Sequence, residues 1–300
     1  MEEVESEQLR STGTFTGPRG HILHYNRVLP PATVARCGLV VFLHGLGEYS
    51  SRYTNLFDEL ARHGWVVYAH DYVGHGLSEG DRMYFDRFDD VVADAESFIG
   101  FAKSDSQSTK PCVLLGNSLG GLVANFVVLR QTQLVDAVIL VAPGLDVPRT
   151  WLLHVQSAVA SVLSAVFPKW RIVPGGDRNN LTSDRAILDA IDSDPLLNKL
   201  PMSCRVGAEL LGAFTTFSQR KHLIQLPVLV ILGNARMNLR CCSEEKMVST
   251  ASIHSYVQDI ASQDKELQEF DGMGHLMLLE STRHQVFQSV GQWLHHRYHN

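Results

Sequence analysis

The stretch from Cys112 to Arg130 constrains the fold of this chain more than any other. A short apolar run leads into Gly116-Asn117-Ser118-Leu119-Gly120, which reads G-x-S-x-G, and a helix-like segment follows. This order predicts a strand, a sharp turn and a helix, with the serine hydroxyl raised clear of the sheet as a nucleophile. Glycines two residues before and after the serine leave room where strand and helix crowd together. The pentapeptide alone would also fit a flexible glycine–serine turn, so the flanking elements carry the prediction.

Short apolar runs alternate with helix-like segments along most of the chain. Strands are predicted at Ile22–Val28, Leu39–Leu43, Trp65–Ala69, Cys112–Leu115, Ala137–Ala142, Val228–Leu232 and Leu267–Phe270. Helices are predicted at Asn55–His63, Val91–Lys103, Leu119–Arg130 and Ser281–His296. Several strands are nearly continuous in Val, Leu and Ile, which is typical of strands covered on both faces. The alternation predicts an α/β fold with a mostly parallel central sheet and helices on both faces.

One gap interrupts this rhythm. No clear strand is predicted from Leu145 to Leu226, where the sequence is helix-like and rich in apolar residues. We interpret this region as a helical cap insertion of about residues 146–224 above the sheet. The whole chain, residues 1–300, is then a single domain.

Composition excludes several classes of function. The net charge is −6 without a block of basic residues, so nucleic acid is not an expected partner. Five cysteines without metal-ligand spacing favour a reducing compartment and imply neither a metal nor another cofactor. The first residues are acidic where a secretory signal is basic. The best apolar stretch, Trp151–Phe167, is shorter than the ~20 residues of a membrane span. A cytoplasmic location is expected, and the oligomeric state stays open.

A serine nucleophile needs a base and hydrogen-bond donors for the developing oxyanion. The loop His44–Gly47 follows the strand Leu39–Leu43. In α/β hydrolases such a loop contributes one oxyanion amide, and the residue after the nucleophile contributes the other. These amides would belong to Leu46 and Leu119. His44 itself is interpreted as structural.

The base should follow the serine in the chain, and His275 has the expected setting. It ends Asp271-Gly272-Met273-Gly274-His275, a glycine-rich loop just after the last predicted strand. Loops at the carboxyl ends of strands are where this fold collects its catalytic groups. The other histidines after Ser118 lack this setting: His284 lies inside the last predicted helix, the polar carboxyl-terminal tail contains His295, His296 and His299, and the rest are His154, His222 and His254.

The acid that would orient this base is not found where it is expected. Gly233–Arg240, just beyond the strand Val228–Leu232, contains two arginines and no carboxylate. The nearest acids downstream are Glu244 and Glu245.

Together these motifs resemble the monoacylglycerol lipase and serine aminopeptidase type of α/β hydrolases, from about Gly20 to Glu280. The resemblance rests on His44-Gly45-Leu46-Gly47-Glu48 with Arg52-Tyr53, on Asp71-Tyr72-Val73-Gly74-His75-Gly76-Leu77-Ser78-Glu79-Gly80, on Ser193-Asp194-Pro195-Leu196, and on Gly116–Gly121 with His275. It implies hydrolysis of carboxylic esters of monoacylglycerol-like or lysolipid substrates through an acyl-Ser118 intermediate. It also implies a lid that contacts membranes peripherally, for which Trp151–Phe167 is suited.

The chain departs from this family at the acid. The position of the catalytic aspartate is occupied by Arg236, and a further family aspartate by Arg240. The connection onward to His275 is longer than in the family, with Ser249–Val257 as additional residues. Asn117 stands where the family has histidine or methionine.

The departure leaves several interpretations open. Asp146, which follows the strand Ala137–Ala142, could supply the acid, and Glu244, Glu245 or Asp259 could do so if their loop folds back. The enzyme could instead work with Ser118 and His275 alone, or it could be a small-molecule esterase or peptidase of the same fold. A catalytically impaired relative that binds lipid or another partner is the alternative class. Residues 233–262 could also reflect an error in the gene sequence, because their composition differs from that of the flanks.

Overall fold

The computed structural model describes residues 10–108, 110–146, 163–173, 181–182, 184–234 and 250–298. Its strands are β1 (Arg10–Thr16), β2 (Ile22–Val28), β3 (Gly38–Leu43), β4 (Trp65–His70), β5 (Cys112–Asn117), β6 (Ala137–Val141), β7 (Arg171–Val173), β8 (Met202–Ser203), β9 (Val228–Asn234) and β10 (Lys265–Asp271). Eight of them form one sheet in the order β1-β2-β4-β3-β5-β6-β9-β10. Every pair from β4 to β10 is parallel, and only the pairs of β2 with β1 and β4 are antiparallel. The prediction of a mostly parallel sheet is confirmed.

Helices cover both faces of this sheet, as predicted. The described helices are α1 (Thr54–Arg62), α2 (Phe88–Ser106), α3 (Leu119–Arg130), α4 (Arg185–Ser193), α5 (Cys204–Arg220), α6 (Thr250–Asp259) and α7 (His284–Tyr298), and all of them except α4 contribute to a core on one face of the sheet. Buried residues of α1 and α7 share one apolar core with the sheet, and those of α2, α3, α5 and α6 share the other.

The two cores explain why the central strands read as continuous apolar runs. In β3, Leu39 and Val41 belong to one core while Val40 and Phe42 belong to the other. Side chains alternate between the faces of a strand, so a strand covered on both sides needs apolar residues at every position. Each such fully buried side chain contributes about 1.5–3 kcal/mol to folding.

Two regions differ from the predictions. The edge strand β1 was not predicted, because its residues are mostly Ser, Thr and Gly and its burial is incomplete. The expectation of no strand between Leu145 and Leu226 is wrong, since β7 pairs with β8 in a small antiparallel sheet. Strands of two and three residues are too short to produce a recognisable hydrophobic period.

The segment between β9 and β10 contains α6, which includes most of Ser249–Val257. Because β9 and β10 are parallel neighbours, their connection must cross over the sheet, and a helix commonly makes that crossover.

In the described ranges no helix has both the length and the apolar character that crossing a bilayer requires. Residues 147–162, which include most of the segment Trp151–Phe167, lie outside the described residues.

The parallel strands point their carboxyl ends toward one edge of the sheet. The loops after β3, β5, β6, β9 and β10 therefore meet at that edge, although they are distant in sequence. Ligand sites in open α/β sheets lie at this edge.

Candidate active site

Ser118 occupies the strained turn that its sequence context predicts. Its backbone has φ 51° and ψ −116°, a conformation that non-glycine residues rarely adopt. Three backbone hydrogen bonds hold it there: the Ser118 amide donates to Val141 (3.0 Å), and its carbonyl accepts from Gly121 and Gly144 (2.9 Å each). A turn fixed on both sides presents the hydroxyl in one orientation.

Glycines make this turn possible because the backbone of neighbouring elements fills the space beside them. A Cβ on Gly120 would overlap the carbonyl oxygen of Leu43 at the end of β3, and one on Gly116 would overlap the carbonyl of Gly120. The spacing G-x-S-x-G is therefore a packing requirement of β3, β5 and α3.

His275 lies directly beside this serine. Its Nε2 atom is 3.0 Å from Ser118 Oγ, and the side chain is buried. The loop that carries it begins at Gly272, whose φ of 78° favours glycine and whose amide donates to the carbonyl of Asn234 at the end of β9 (2.7 Å). The structure thus brings two residues that are 157 positions apart in the sequence to hydrogen-bonding distance.

Leu119 directly follows the serine, and Leu46 belongs to the loop after β3. Leu119 is the first residue of α3, where helical amides lack intrahelical acceptors, and the helix dipole is positive. Gly45, which precedes Leu46, would place a Cβ 3.4 Å from the Ser118 Cβ, so this loop adjoins the nucleophile. Neither amide has a hydrogen-bond partner among the residues that the structure describes. Both are therefore available to an oxygen atom bound beside Ser118.

A buried polar network lies beneath the serine, and sequence reasoning missed it. The Glu48 carboxylate accepts hydrogen bonds from Arg52 and Tyr53 and a longer one from Asn117 Nδ2 (3.4 Å), and Asn117 also donates to the Tyr53 hydroxyl (3.0 Å). Burial raises the pKa of Tyr53 strongly, and the Glu48 charge adds to this. The grouping of Glu48, Arg52 and Tyr53 in one loop was the available signal.

This network continues into the segment between β6 and β9. Tyr49 donates to Asp194 Oδ2 (2.7 Å), and burial together with this bond raises the pKa of Tyr49 to about 12. The Asn198 amide donates to the carbonyl of Gly47 (3.0 Å). The loop with the Leu46 amide is therefore fixed by residues of the predicted cap.

His44 has a structural environment. Its Nδ1 donates to the Gly45 carbonyl (2.7 Å), and its Nε2 accepts from the Tyr72 amide (3.1 Å). Burial lowers its pKa, so the ring is neutral at physiological pH. Asp71 receives hydrogen bonds from Ser50 and from the Leu77 amide (3.0 Å), which fixes the loop after β4.

The candidates for the triad acid lie at different places in the structure. Asp146 follows β6 at the carboxyl edge of the sheet, and its Oδ2 accepts a hydrogen bond from Ser252 of α6 (3.3 Å). Asp259 binds Lys221 (2.8 Å) and Ser255 (2.9 Å) at the far end of α6. The other positions, Arg236, Arg240, Glu244 and Glu245, lie outside the described residues. Within the described segments, no cluster of His, Cys, Asp and Glu could hold a metal ion.

A nucleophile elbow after a central parallel strand, with a histidine from the loop after the last strand beside it, defines an α/β hydrolase. The chain belongs to the serine aminopeptidase S33 family of these hydrolases, whose family model matches residues 35–282.

Individual relatives agree with this family. The chain is 27% identical to a monoacylglycerol lipase of Mycolicibacterium smegmatis over 95% of its length and 97% of the relative. It is also 27% identical to the human monoglyceride lipase, covering 86% of this chain and 82% of that protein. The structure of a soluble variant of the Saccharomyces cerevisiae monoglyceride lipase has the same fold, with a TM-score of 0.80, 23% identity, and coverage of 95% and 94% of the two chains.

Proposed function

We propose that this protein is a serine ester hydrolase that cleaves monoacylglycerol-like or lysolipid esters through an acyl-Ser118 intermediate. The observation that carries the proposal is the 3.0 Å distance between His275 Nε2 and Ser118 Oγ at a strained elbow. Such a contact is what a general base requires to take a proton from a serine hydroxyl.

In the proposed reaction, Ser118 Oγ attacks the ester carbonyl carbon while His275 Nε2 accepts the hydroxyl proton. The negative charge on the carbonyl oxygen is stabilised by the amides of Leu46 and Leu119. Collapse of this intermediate breaks the bond to the alcohol, which leaves with the proton from His275. Water, deprotonated by His275, then attacks the acyl-serine, and the bond to Ser118 Oγ breaks as His275 returns the proton to that oxygen and the fatty acid is released.

The similarity to monoacylglycerol and monoglyceride lipases supports a lipid ester as substrate. Exposed apolar side chains in the segment between β6 and β9 support a peripheral membrane contact of the cap; they are Val166, Phe167, Trp170, Ile172 and Leu200. Apolar and aromatic side chains of this kind favour the interface between water and lipid. We propose that residues 1–300 form one domain with this cap at about 146–224, located in the cytoplasm as its few cysteines suggest.

The acid that orients His275 is unassigned, and Asp146 is the candidate that we propose. Its position after β6, next to the strand that carries Ser118, supports this role. The alternative function is a catalytically impaired hydrolase that binds lipid or another partner, and the arginine at position 236 favours it. Removal of a triad acid typically reduces turnover roughly 10⁴-fold.

A fluorophosphonate serine probe tests the proposal directly. Wild-type protein should be labelled, whereas Ser118→Ala and His275→Ala should not. Wild-type labelling no greater than that of Ser118→Ala would exclude the hydrolase and leave the binding protein. Asp146→Asn should slow labelling, and an unchanged rate would rule out Asp146 as the acid.

Substrate class needs a separate comparison. Long-chain monoacylglycerol should be hydrolysed with a higher kcat/KM than short-chain esters. A preference for short-chain esters or for peptide substrates would assign the chain to the small-molecule esterases or peptidases of the same fold.

A further inference from the structure

Glu280 is a buried carboxylate at the end of the loop that carries His275. Only 7% of the residue is exposed, and within the described residues no lysine or arginine forms an ion pair with it. Burial raises its pKa, while hydrogen bonds from Thr182 and Gly274 lower it in part. A carboxyl group in such an environment destabilises a fold unless its hydrogen bonds are made.

Both donors converge on one oxygen of Glu280. The Thr182 hydroxyl donates to Oε1 at 2.8 Å, and the Gly274 amide donates to the same atom at 3.1 Å. Gly274 is the residue immediately before His275. The carboxyl group therefore fixes the backbone directly preceding the base.

The other side of His275 is also held. The Leu276 amide donates to the carbonyl of Leu181 (3.1 Å). A Cβ on Gly274 would lie 2.9 Å from that same Leu181 carbonyl oxygen and 3.0 Å from Glu280 Oε1, so this residue is closely packed between the two groups. The backbone on both sides of His275 is consequently bound to residues 181–182 or to Glu280.

Residues 181–182 come from the segment between β6 and β9, and not from the sheet. Thr182 is buried, although a threonine in a linking segment is usually exposed. Its hydroxyl connects this segment to the base loop through the Glu280 carboxyl group.

We propose that Glu280 is a positioning residue, which holds His275 at its distance from Ser118 and links the base loop to the cap at Thr182. This role rests on the proposed function, since it acts through the base of that reaction. A displacement of about 1 Å in a catalytic group reduces turnover up to 100-fold. The loss should appear in kcat, because Glu280 does not contact the substrate.

Three variants separate the contributions. Glu280→Gln keeps a carbonyl oxygen that can accept both hydrogen bonds, so its kcat should stay within about threefold of wild type. Glu280→Leu has similar volume but leaves the Gly274 amide unpaired, and its kcat should fall roughly 10- to 100-fold with KM within about twofold. Thr182→Val removes the cap donor to Glu280, together with the acceptor of the Asp184 amide (3.1 Å), and should give an intermediate loss of kcat.

The matched control is Asp94→Leu. Asp94 is another buried carboxylate, but it lies in α2 and is paired with Arg19. This variant should lower the unfolding temperature and leave kcat unchanged when all assays run well below that temperature. A loss of kcat in Asp94→Leu equal to that in Glu280→Leu would attribute the effect to stability and overturn the proposal.

A second readout does not depend on activity. In protein with ¹⁵N-labelled histidine, the His275 ring signals, assigned with His275→Gln, should shift or broaden in Glu280→Leu and match wild type in Glu280→Gln. Unchanged signals in Glu280→Leu would overturn the positioning role even if the fluorophosphonate labels Ser118. Unchanged kcat in Thr182→Val would overturn the link to the cap. Absence of labelling in wild type would refute the proposed function separately.

Discussion

His70 offers a quantitative test of the buried core beside the active site. It lies in β4 with none of its surface exposed, and its ring centre is 4.5 Å from that of Phe98 and 5.3 Å from that of Tyr72. Neither ring nitrogen has a hydrogen-bond partner among the described residues. Burial, reinforced by His44, lowers its pKa to about 3, while Asp71 acts in the opposite direction.

The sign of the pH dependence follows from this shift. The unfolded chain binds a proton on His70 near pH 6.5, but the folded protein excludes it until about pH 3. Stability is therefore lost as the pH falls from 6.5 toward 3. At pH 5.0, about 1.5 pH units at ~1.36 kcal/mol each give a loss of about 2 kcal/mol from His70 alone. The folded pKa lies well below pH 5, so this value depends only on the unfolded state.

His70→Phe should remove this contribution. The free energy of unfolding can be measured by denaturant titration with tryptophan fluorescence at pH 7.5 and at pH 5.0. Both proteins should lose stability at the lower pH, and the loss should be about 2 kcal/mol smaller in the variant than in wild type. At pH 7.5 the variant should be at least as stable as wild type, because two unpaired polar atoms are removed. The variant should still lose some stability at low pH, in part because of His75: burial also lowers the pKa of His75 to about 3.

Tyr72→Phe is the matched control. It changes an aromatic ring of the same cluster and removes a buried hydroxyl that also lacks a partner among the described residues. Burial raises the pKa of Tyr72 far above 10, so this side chain does not titrate between pH 5.0 and 7.5. Its pH dependence should equal that of wild type. If His70→Phe retains the full wild-type loss of stability at pH 5.0, the reasoning about the buried imidazole is wrong.

Three further outcomes are expected. Ser118→Gly should be more stable than Ser118→Ala by about 1 kcal/mol in thermal unfolding, because only glycine relieves the positive φ at this turn; equal stabilities would contradict strain. Gly120→Ala should lose about 3 kcal/mol of stability because its Cβ would overlap the Leu43 carbonyl. Gly100→Ala, which faces open space on α2, should gain about 0.5–1 kcal/mol. Equal effects of the two substitutions would contradict the close packing at Gly120. Arg236→Asp should raise the rate of ester hydrolysis if that position is a vacant acid site, and no increase would reject that reading.

The sequence predicted the central sheet well because its strands are covered on both faces. A strand such as β6 is apolar at every position, and such a run can be recognised without knowledge of its partners. The edge strand β1 and the pair of β7 and β8 carry no such requirement. Pairing with neighbours, and not their own residues, creates those strands.

The nucleophile and the base differ in how far local sequence defines them. Ser118 is recognisable because the turn itself demands glycines at fixed spacing. His275 was one of several histidines after the serine, and its choice depended on the glycine-rich loop before it. The 3.0 Å contact between them is a property of the sheet order, which puts the loops after β5 and β10 at one edge.

The supporting groups were decided by tertiary structure alone. Glu280 and Thr182 are ordinary residues in the sequence, and their importance arises because a carboxyl group, a hydroxyl and a loop amide meet at a buried position. Local sequence determined the elements and the strained serine, since these depend on side-chain periodicity and backbone sterics. Only the folded chain decided what surrounds them, since hydrogen bonds between distant segments leave no periodic trace in the sequence.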